Sequence, residues 1–423
     1  MNEISQKKLI LGRRMYMLEA MLEYLISILV AGSFLATVTK ELKFSDSLTG
    51  ILSSIISLGC LFQLISMFIR KNKFKKFVIT MSILNQLLFL ILYIIPLLTG
   101  AKTFKTFAFV FAIISAYLIY NIAHPKKINW LMSLVEDNHR GIFTANKEII
   151  SLVCGMVFSF LMGAAVDYFV DKGEIRIAFI ITAAVMLVIS VLHTLTMLFT
   201  PEKTNEIKEK KNIGKIIKSV VGNKKLIMVT VVFILYNVVT YSTTPFYGTY
   251  FIKELGFSLK ETTLLATIGS VSRVLVSRFW GRYADKHSFA VMMEKCLLAF
   301  ALSYICITFA NPQTGKFAVS AYYVFHGIAL GGINSAVINM IFDYVSPEFR
   351  ADSLAICQAV AGISGFLTTL LVSPLIMLVQ TSGNSIFGIT VYAQQILSLG
   401  GMIITIIAVL FVRFMIIKGH RRS

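Results

Sequence analysis

Charged residues are scarce: Asp, Glu, Lys and Arg make up 14% of the 423 residues, while 57% are apolar and the mean hydropathy is +0.78. That leaves too little polar surface to cover a water-soluble globule, so the chain belongs in lipid. Cysteine is sparse as well. Cys60, Cys154, Cys296, Cys306 and Cys357 all fall in apolar stretches, none in a CxxC pair or beside a histidine at ligand spacing, and read as free thiols packed in helices. The six histidines are scattered, and HExxH, Gly-x-Ser-x-Gly and Walker A patterns are lacking. This speaks against a membrane-embedded enzyme and an ATP-driven pump with its own nucleotide-binding domain; neither cofactor nor metal is expected. The net charge of +19 is not gathered on a soluble face with aromatic or helix-turn-helix context, so nucleic acid is not an expected partner.

What is present is a series of apolar runs. A hydrocarbon core of roughly 30 Å takes about 20 apolar residues per helix, and the chain has room for about a dozen spans. The runs predict spans at Met15 to Val38, Ser47 to Ile69, Phe77 to Leu98, Phe104 to Ala123, Phe143 to Val166 and Ile177 to Phe199. A polar stretch follows, and a second series runs at Leu226 to Tyr247, Thr262 to Trp280, Val291 to Ala310, Phe317 to Ile341, Ala351 to Val379 and Tyr392 to Ile417. The expected domains are a tail (1–14), a six-helix half (15–199), a cytoplasmic linker (200–225), a second six-helix half (226–417) and a short tail (418–423). The first run is about 24 residues long, contains two glutamates and lacks a small-x-small cleavage site, which favours an uncleaved helix over a signal peptide.

Lysine and arginine set the expected topology. With the N-terminus inside, 29 of the 40 fall in inner segments and nine in outer loops, with Arg273 and Lys295 inside spans. The expectation is a multi-pass protein of the cell membrane with both termini cytoplasmic. The chain also repeats itself at an offset of 210 residues: Asn129, Val135, Arg140, Ala145 and Gly155 recur as Asn339, Val345, Arg350, Ala355 and Gly365. That coincidence suggests parallel six-helix repeats.

Gly281-Arg282-Tyr283-Ala284-Asp285-Lys286, after the eighth span, resembles the Gly-x-x-x-Asp-(Arg/Lys) loop signature of the major facilitator superfamily. Arg140-Gly141 and Arg350-Ala351, opening spans five and eleven, resemble the basic residue that family places there. The corresponding first-half loop, Arg70 to Lys76, has neither the glycine nor the aspartate. The resemblance implies an all-α membrane fold of twelve helices in two pseudo-symmetric six-helix bundles, whose spans one, four, seven and ten line a central cavity. It also implies a conformational latch of Gly281, Asp285, Lys286, Arg140 and Arg350: the glycine lets helix ends approach closely, and Arg140 is the expected partner of Asp285. A solvated loop whose charges only fix topology is the alternative.

Ionisable residues inside a span are costly and mark function by default. Glu19 and Glu23, four apart on one face of span one, are the proton-coupling candidates, because two close carboxylates in a low dielectric resist joint ionisation. The bland alternative pairs Glu19 with a basic residue and hydrogen-bonds Glu23 to a neighbouring helix. Tyr117, Tyr120, Asn121 and His124 in span four, Tyr236, Asn237 and Tyr241 in span seven, and Tyr322, His326 and Asn334 in span ten are the substrate-cavity candidates, suited to stack on and hydrogen-bond a neutral polar solute. Packing and interface anchoring are the alternatives for each. Arg273 is a buried charge that Glu148 would compensate. Span five has Gly155 and Gly163 but no Gly-Pro pair, unlike the pattern of drug-proton antiporters. The expected function is secondary active transport by alternating access, proton-coupled, of a neutral polar solute such as a sugar or glycoside. A drug/proton antiporter and a non-transporting membrane sensor that keeps the fold are the alternatives. The expected partners are a small solute, protons and lipid, for a monomer.

Overall fold

The computed structural model describes residues 6–69, 74–136, 140–202, 222–345, 350–386 and 389–418. Apolar runs in lipid have no water to satisfy their backbone, so each closes its N–H and C=O groups on itself as a helix. In chain order these are α1 (Gln6–Leu29), α2 (Gly32–Glu41), α3 (Asp46–Phe62), α4 (Lys75–Ile94), α5 (Lys102–Met132), α6 (Arg140–Asp171), α7 (Ile175–Phe199), α8 (Lys224–Thr249), α9 (Leu259–His287), α10 (Phe289–Thr308), α11 (Gly315–Phe342), α12 (Arg350–Thr381) and α13 (Ala393–Phe411). Among the described residues the only strand pairing joins Ser385–Ile386 to Ile389–Thr390.

α1 and α2 together make the first expected span. They separate where Gly32 takes φ +53°, a conformation that only glycine adopts without strain, and the Tyr93 hydroxyl donates to the freed Leu29 carbonyl at 2.5 Å. Eleven helical stretches are long and apolar enough to cross a membrane among the described residues. α9, the eighth expected span, has 29 residues but carries Arg273, Arg278, Arg282, Asp285 and Lys286, and its charges keep it outside that set. The repeat is also structural: α6 and α12 each have 32 residues and begin at Arg140 and Arg350, and α5 and α11 end at Met132 and Phe342. Large apolar side chains such as Phe107, Leu275, Phe317 and Leu371 are exposed, as a surface facing hydrocarbon requires.

Two compact units divide the chain. Among the described residues, the first comprises 6–44, 62–202 and 258–263, and the second 45–61, 222–257 and 264–418. α3 therefore groups with the second series of helices, and the first turn of α9 with the first.

In the first unit, Tyr16, Val78, Trp130, Leu131 and Met197 pack as a buried core. α4 and α7 are tied end to end: the Glu202 carboxylate accepts from the backbone N–H groups of Phe74 and Lys75, while Lys75 Nζ donates to the Leu198 and Thr200 carbonyls, both at 2.7 Å. A carboxylate at a helix start and an ammonium at a helix end each complement the macrodipole. Glu202→Ala should cost about 1 kcal/mol, the usual loss for a helix cap, seen as a lower thermal midpoint in detergent. A second tie joins α6 to α9. Asp167 accepts from Leu259 N at 2.9 Å and Lys260 N at 2.5 Å, beside a reciprocal Ser258–Glu261 capping box.

In the second unit, Phe300, Tyr304, Trp280 and Tyr322 belong to an extensive buried core. α3 lies on α12 through small residues: Ser47 meets Ser373, Ser57 donates to the Gly362 carbonyl at 2.8 Å, and a Cβ on Gly362 would stand 3.0 Å from that of Cys60. At the start of α3, buried Asp46 accepts from Lys253 at 2.5 Å and from Gln380 at 2.8 Å. Gln380 also reaches Glu254, whose other oxygen accepts from Asn384.

Candidate functional site

The densest cluster of ionisable side chains within the spans lies in the first unit. α1 contributes Glu19 and Glu23, one turn apart; α5 contributes Lys127 and α7 contributes His193. Lys127 Nζ donates to Glu19 Oε1 at 2.9 Å and also to Glu23 Oε2. The Glu19 and Lys127 side chains are 1% and 4% exposed, but Glu23 keeps 26%, so the cluster has one closed end and one open end. His193 Nε2 stands 3.1 Å from Glu19 Oε1, and its Nδ1 2.6 Å from Gln86 Nε2 on α4. Buried charges persist only when paired and hydrogen-bonded, a condition this chain of contacts meets for Glu19 and Lys127. Glu19, Glu23 and His193 bring three metal-ligating groups within 4.8 Å of one another, but the Lys127 ammonium bonds both carboxylates and serves as their cation.

Lys127 corrects the topology reading, which counted it among inner-loop charges. α5 continues nine residues beyond the expected end at Ala123, through Pro125, and buries Lys127 in the helix. The inner count falls to 28. A signal for it was present: Tyr117, Tyr120, His124 and Lys127 are spaced by three and four residues and share one helix face. His193 and Gln86 carried no comparable pattern.

The other span-four candidates divide. The Tyr120 and His124 rings lie tilted against each other with centroids 5.1 Å apart, and Lys127 Nζ lies 5.9 Å from the Tyr120 ring. Asn121 is committed internally, donating to Tyr117 O at 2.9 Å and accepting from Gln63 at 3.0 Å, and Tyr117 is buried edge-on against Phe89. In the second unit, Tyr236 and His326 both lie against Phe300, at 5.5 and 5.2 Å, and His326 lies tilted against buried Tyr322 at 4.9 Å. The Nδ1 atoms of His124 and His326 are buried without a partner among the described residues. Asn237 donates back to Phe233 O, Tyr241 lies against Gly365, and Asn334 is exposed.

The described residues leave the expected latch untested. Gly281, Asp285 and Lys286 are exposed near the end of α9, and among the described residues no atom lies within 4 Å of where a Gly281 Cβ would stand. Arg140 and Arg350 begin α6 and α12, but their side chains lie outside the described residues. Glu148 is exposed on α6 in the first unit, and Arg273 is half-buried on α9 in the second.

A bundle of membrane-length helices, repeated at 210 residues, with a paired charge cluster inside its spans, defines a polytopic membrane protein. The chain belongs to the Major Facilitator Superfamily, whose profile matches residues 16–369 and 229–416. Among solved structures it is similar to the nucleoside transporter NupG in a mutant form, with a TM-score of 0.73, 14% identity and 96% and 99% of the two chains covered. It is similar to a D-xylose-proton symporter, with a TM-score of 0.69, 14% identity and 95% and 97% coverage. It is similar also to an auto-inhibited POT family peptide transporter, with a TM-score of 0.70, 9% identity and 96% and 97% coverage. At these identities the likeness is one of fold. No curated protein matches the chain in sequence.

Proposed function

We propose that this protein is a proton-coupled secondary transporter of a small neutral polar solute, working by alternating access, with Glu19, Glu23 and Lys127 as its coupling centre. The observation that carries the reading is the charge count within the spans: two carboxylates share one lysine. With both acids ionised the three groups hold one surplus negative charge, which a low-dielectric setting disfavours. One proton removes it. Glu23 is the acid that exchanges the proton with water, because Glu19 is closed off while Glu23 keeps an exposed edge.

The substrate side rests on uncharged groups. Tyr120 with His124, and Tyr236, Tyr322 and His326 around Phe300, offer aromatic faces and hydrogen-bonding nitrogens suited to a solute with a ring and hydroxyls. The similar structures include transporters of a nucleoside and of D-xylose, so nucleosides, pentoses and glycosides make the first panel. In proteoliposomes, an inward proton gradient should drive accumulation of one of these compounds. Glu23→Gln should abolish that accumulation while leaving binding or solute-for-solute exchange in place. Gradient-driven accumulation that persists in Glu23→Gln would refute the assignment of the coupling residue.

A further inference from the structure

The cluster extends past the two acids and the lysine. His193 is 1% exposed, on α7, and both of its ring nitrogens are engaged: Nε2 faces Glu19 Oε1 at 3.1 Å, and Nδ1 faces the side-chain amide of Gln86 at 2.6 Å. The amide is placed with its nitrogen toward the ring, and Gln86 Oε1 is then buried with no partner among the described residues. In that arrangement Gln86 donates to a bare Nδ1, and His193 is a neutral imidazole whose Nε2–H donates to Glu19. The alternative needs no movement of the backbone. Turning the amide half a revolution about its last torsion brings Oε1 to the same position, where it accepts from a protonated Nδ1. His193 is then an imidazolium with both N–H groups paired, one to Glu19 and one to Gln86.

The two arrangements differ by one proton and one charge. With neutral His193, ionised Glu19 and Glu23 and protonated Lys127 sum to −1; with the imidazolium, the sum is zero. Resting on the proton-coupled reading above, we propose that His193 is a second seat for the coupling proton and that the Gln86 amide, by turning, accommodates His193 in either state. Glu23 at the exposed end admits the proton from water, and His193 at the closed end holds it out of water's reach. Lys127 and Glu19 lie between and keep their charges in both states.

The groups that face His193 are consistent with this assignment. α7 packs against α1, α4 and α6. α1 presents Glu19, with Glu23 and the buried Tyr16 hydroxyl one turn to either side; α4 presents the non-titrating Gln86. Lys127 and His124 stand on α5, and from α6 Lys147 lies over the Tyr16 ring at 5.1 Å while Glu148 is exposed. Among the described residues Glu19 is thus the one carboxylate in direct contact with the ring, and Gln86 the one side chain able either to give or to accept a hydrogen bond at Nδ1.

The test reads the imidazole itself. Protein labelled with 15N-histidine gives nitrogen shifts that separate imidazolium from either neutral tautomer. His193 is assigned by the signal lost in His193→Gln or, if that variant does not fold, by the signal left when the other five histidines are replaced. As pH is raised, His193 is expected to pass from imidazolium to neutral. Gln86→Leu, which removes the Nδ1–H acceptor, should move that midpoint down by about one pH unit or more, a tenfold or larger weakening of proton binding. Glu23→Gln should move it the same way, because the three charged groups are then neutral without a proton on His193. A His193 that stays a single neutral tautomer throughout, or whose midpoint ignores Gln86→Leu, overturns the proposal. Uptake in proteoliposomes separates the two readings. Proton-driven uptake with a permanently neutral His193 leaves the coupling centre standing and removes only this inference; a titrating His193 without proton-driven uptake does the reverse.

Discussion

Lys127→Met should abolish gradient-driven uptake and lower the thermal midpoint of the purified protein by several degrees. Among the described residues the lysine is the one cation bonded to both Glu19 and Glu23, and its side chain is 4% exposed. Removing one partner of a buried ion pair typically costs about 3–5 kcal/mol, because the remaining charge has neither water nor a counter-ion. Here Glu19 is left closed off without its ammonium partner, so it must take up a proton or the helices must admit water. The lysine's packing is replaced by methionine in this variant, so the loss reads charge and not volume. Combining Lys127→Met with Glu19→Gln and Glu23→Gln should recover most of the lost stability, since three neutral groups replace three charges, yet leave gradient-driven uptake absent. Recovery of stability without transport separates the structural role of the pair from its coupling role. Wild-type uptake in Lys127→Met would show that the cluster is structural only.

Joining α3 to α12 should stop transport reversibly. Ser47 and Ser373 meet side chain to side chain, in a seam that continues through Ser57 and Gly362 and ends in the Asp46, Lys253, Gln380 and Glu254 network. In a chain whose native cysteines have been replaced, Ser47→Cys with Ser373→Cys should oxidise to a disulfide. Uptake should then fall at least tenfold and return on reduction. The reason is mechanical. Alternating access requires helices contributed by the two repeats to part and close during each cycle, and a covalent bond across this seam prevents parting. If the oxidised protein transports as fast as the reduced one, α3 and α12 stay together throughout the cycle and the moving contacts lie elsewhere.

Much of this protein was legible from the chain alone, for identifiable reasons. Apolar runs separated by charge located the spans because the bilayer imposes a length and a polarity that each helix meets by itself. The repeat at 210 residues anticipated that α6 and α12 begin at equivalent arginines and run the same length. Glu19 and Glu23 stood out because a carboxylate amid leucine and isoleucine has no local explanation. One feature misled. Pro125-Lys126-Lys127 looks like a helix ending in a basic loop, yet the helix carries on to Met132 and Lys127 turns inward to meet acids 108 and 104 residues away in sequence. Gly281 to Lys286 has the spacing of a latch, and the side chains of its expected partners Arg140 and Arg350 lie outside the described residues.

The sequence by itself determined the solvent, the spans and the repeat, which follow from local hydropathy and spacing, while its loop signature supplied the resemblance to the family. Tertiary structure alone decided that Glu19 and Glu23 share Lys127, that His193 and Gln86 extend the cluster, and that α3 lies against α12. Helical periodicity tells which face a side chain occupies but not which helix will lie opposite it. A buried charge finds its partner only when packing brings the two helices together.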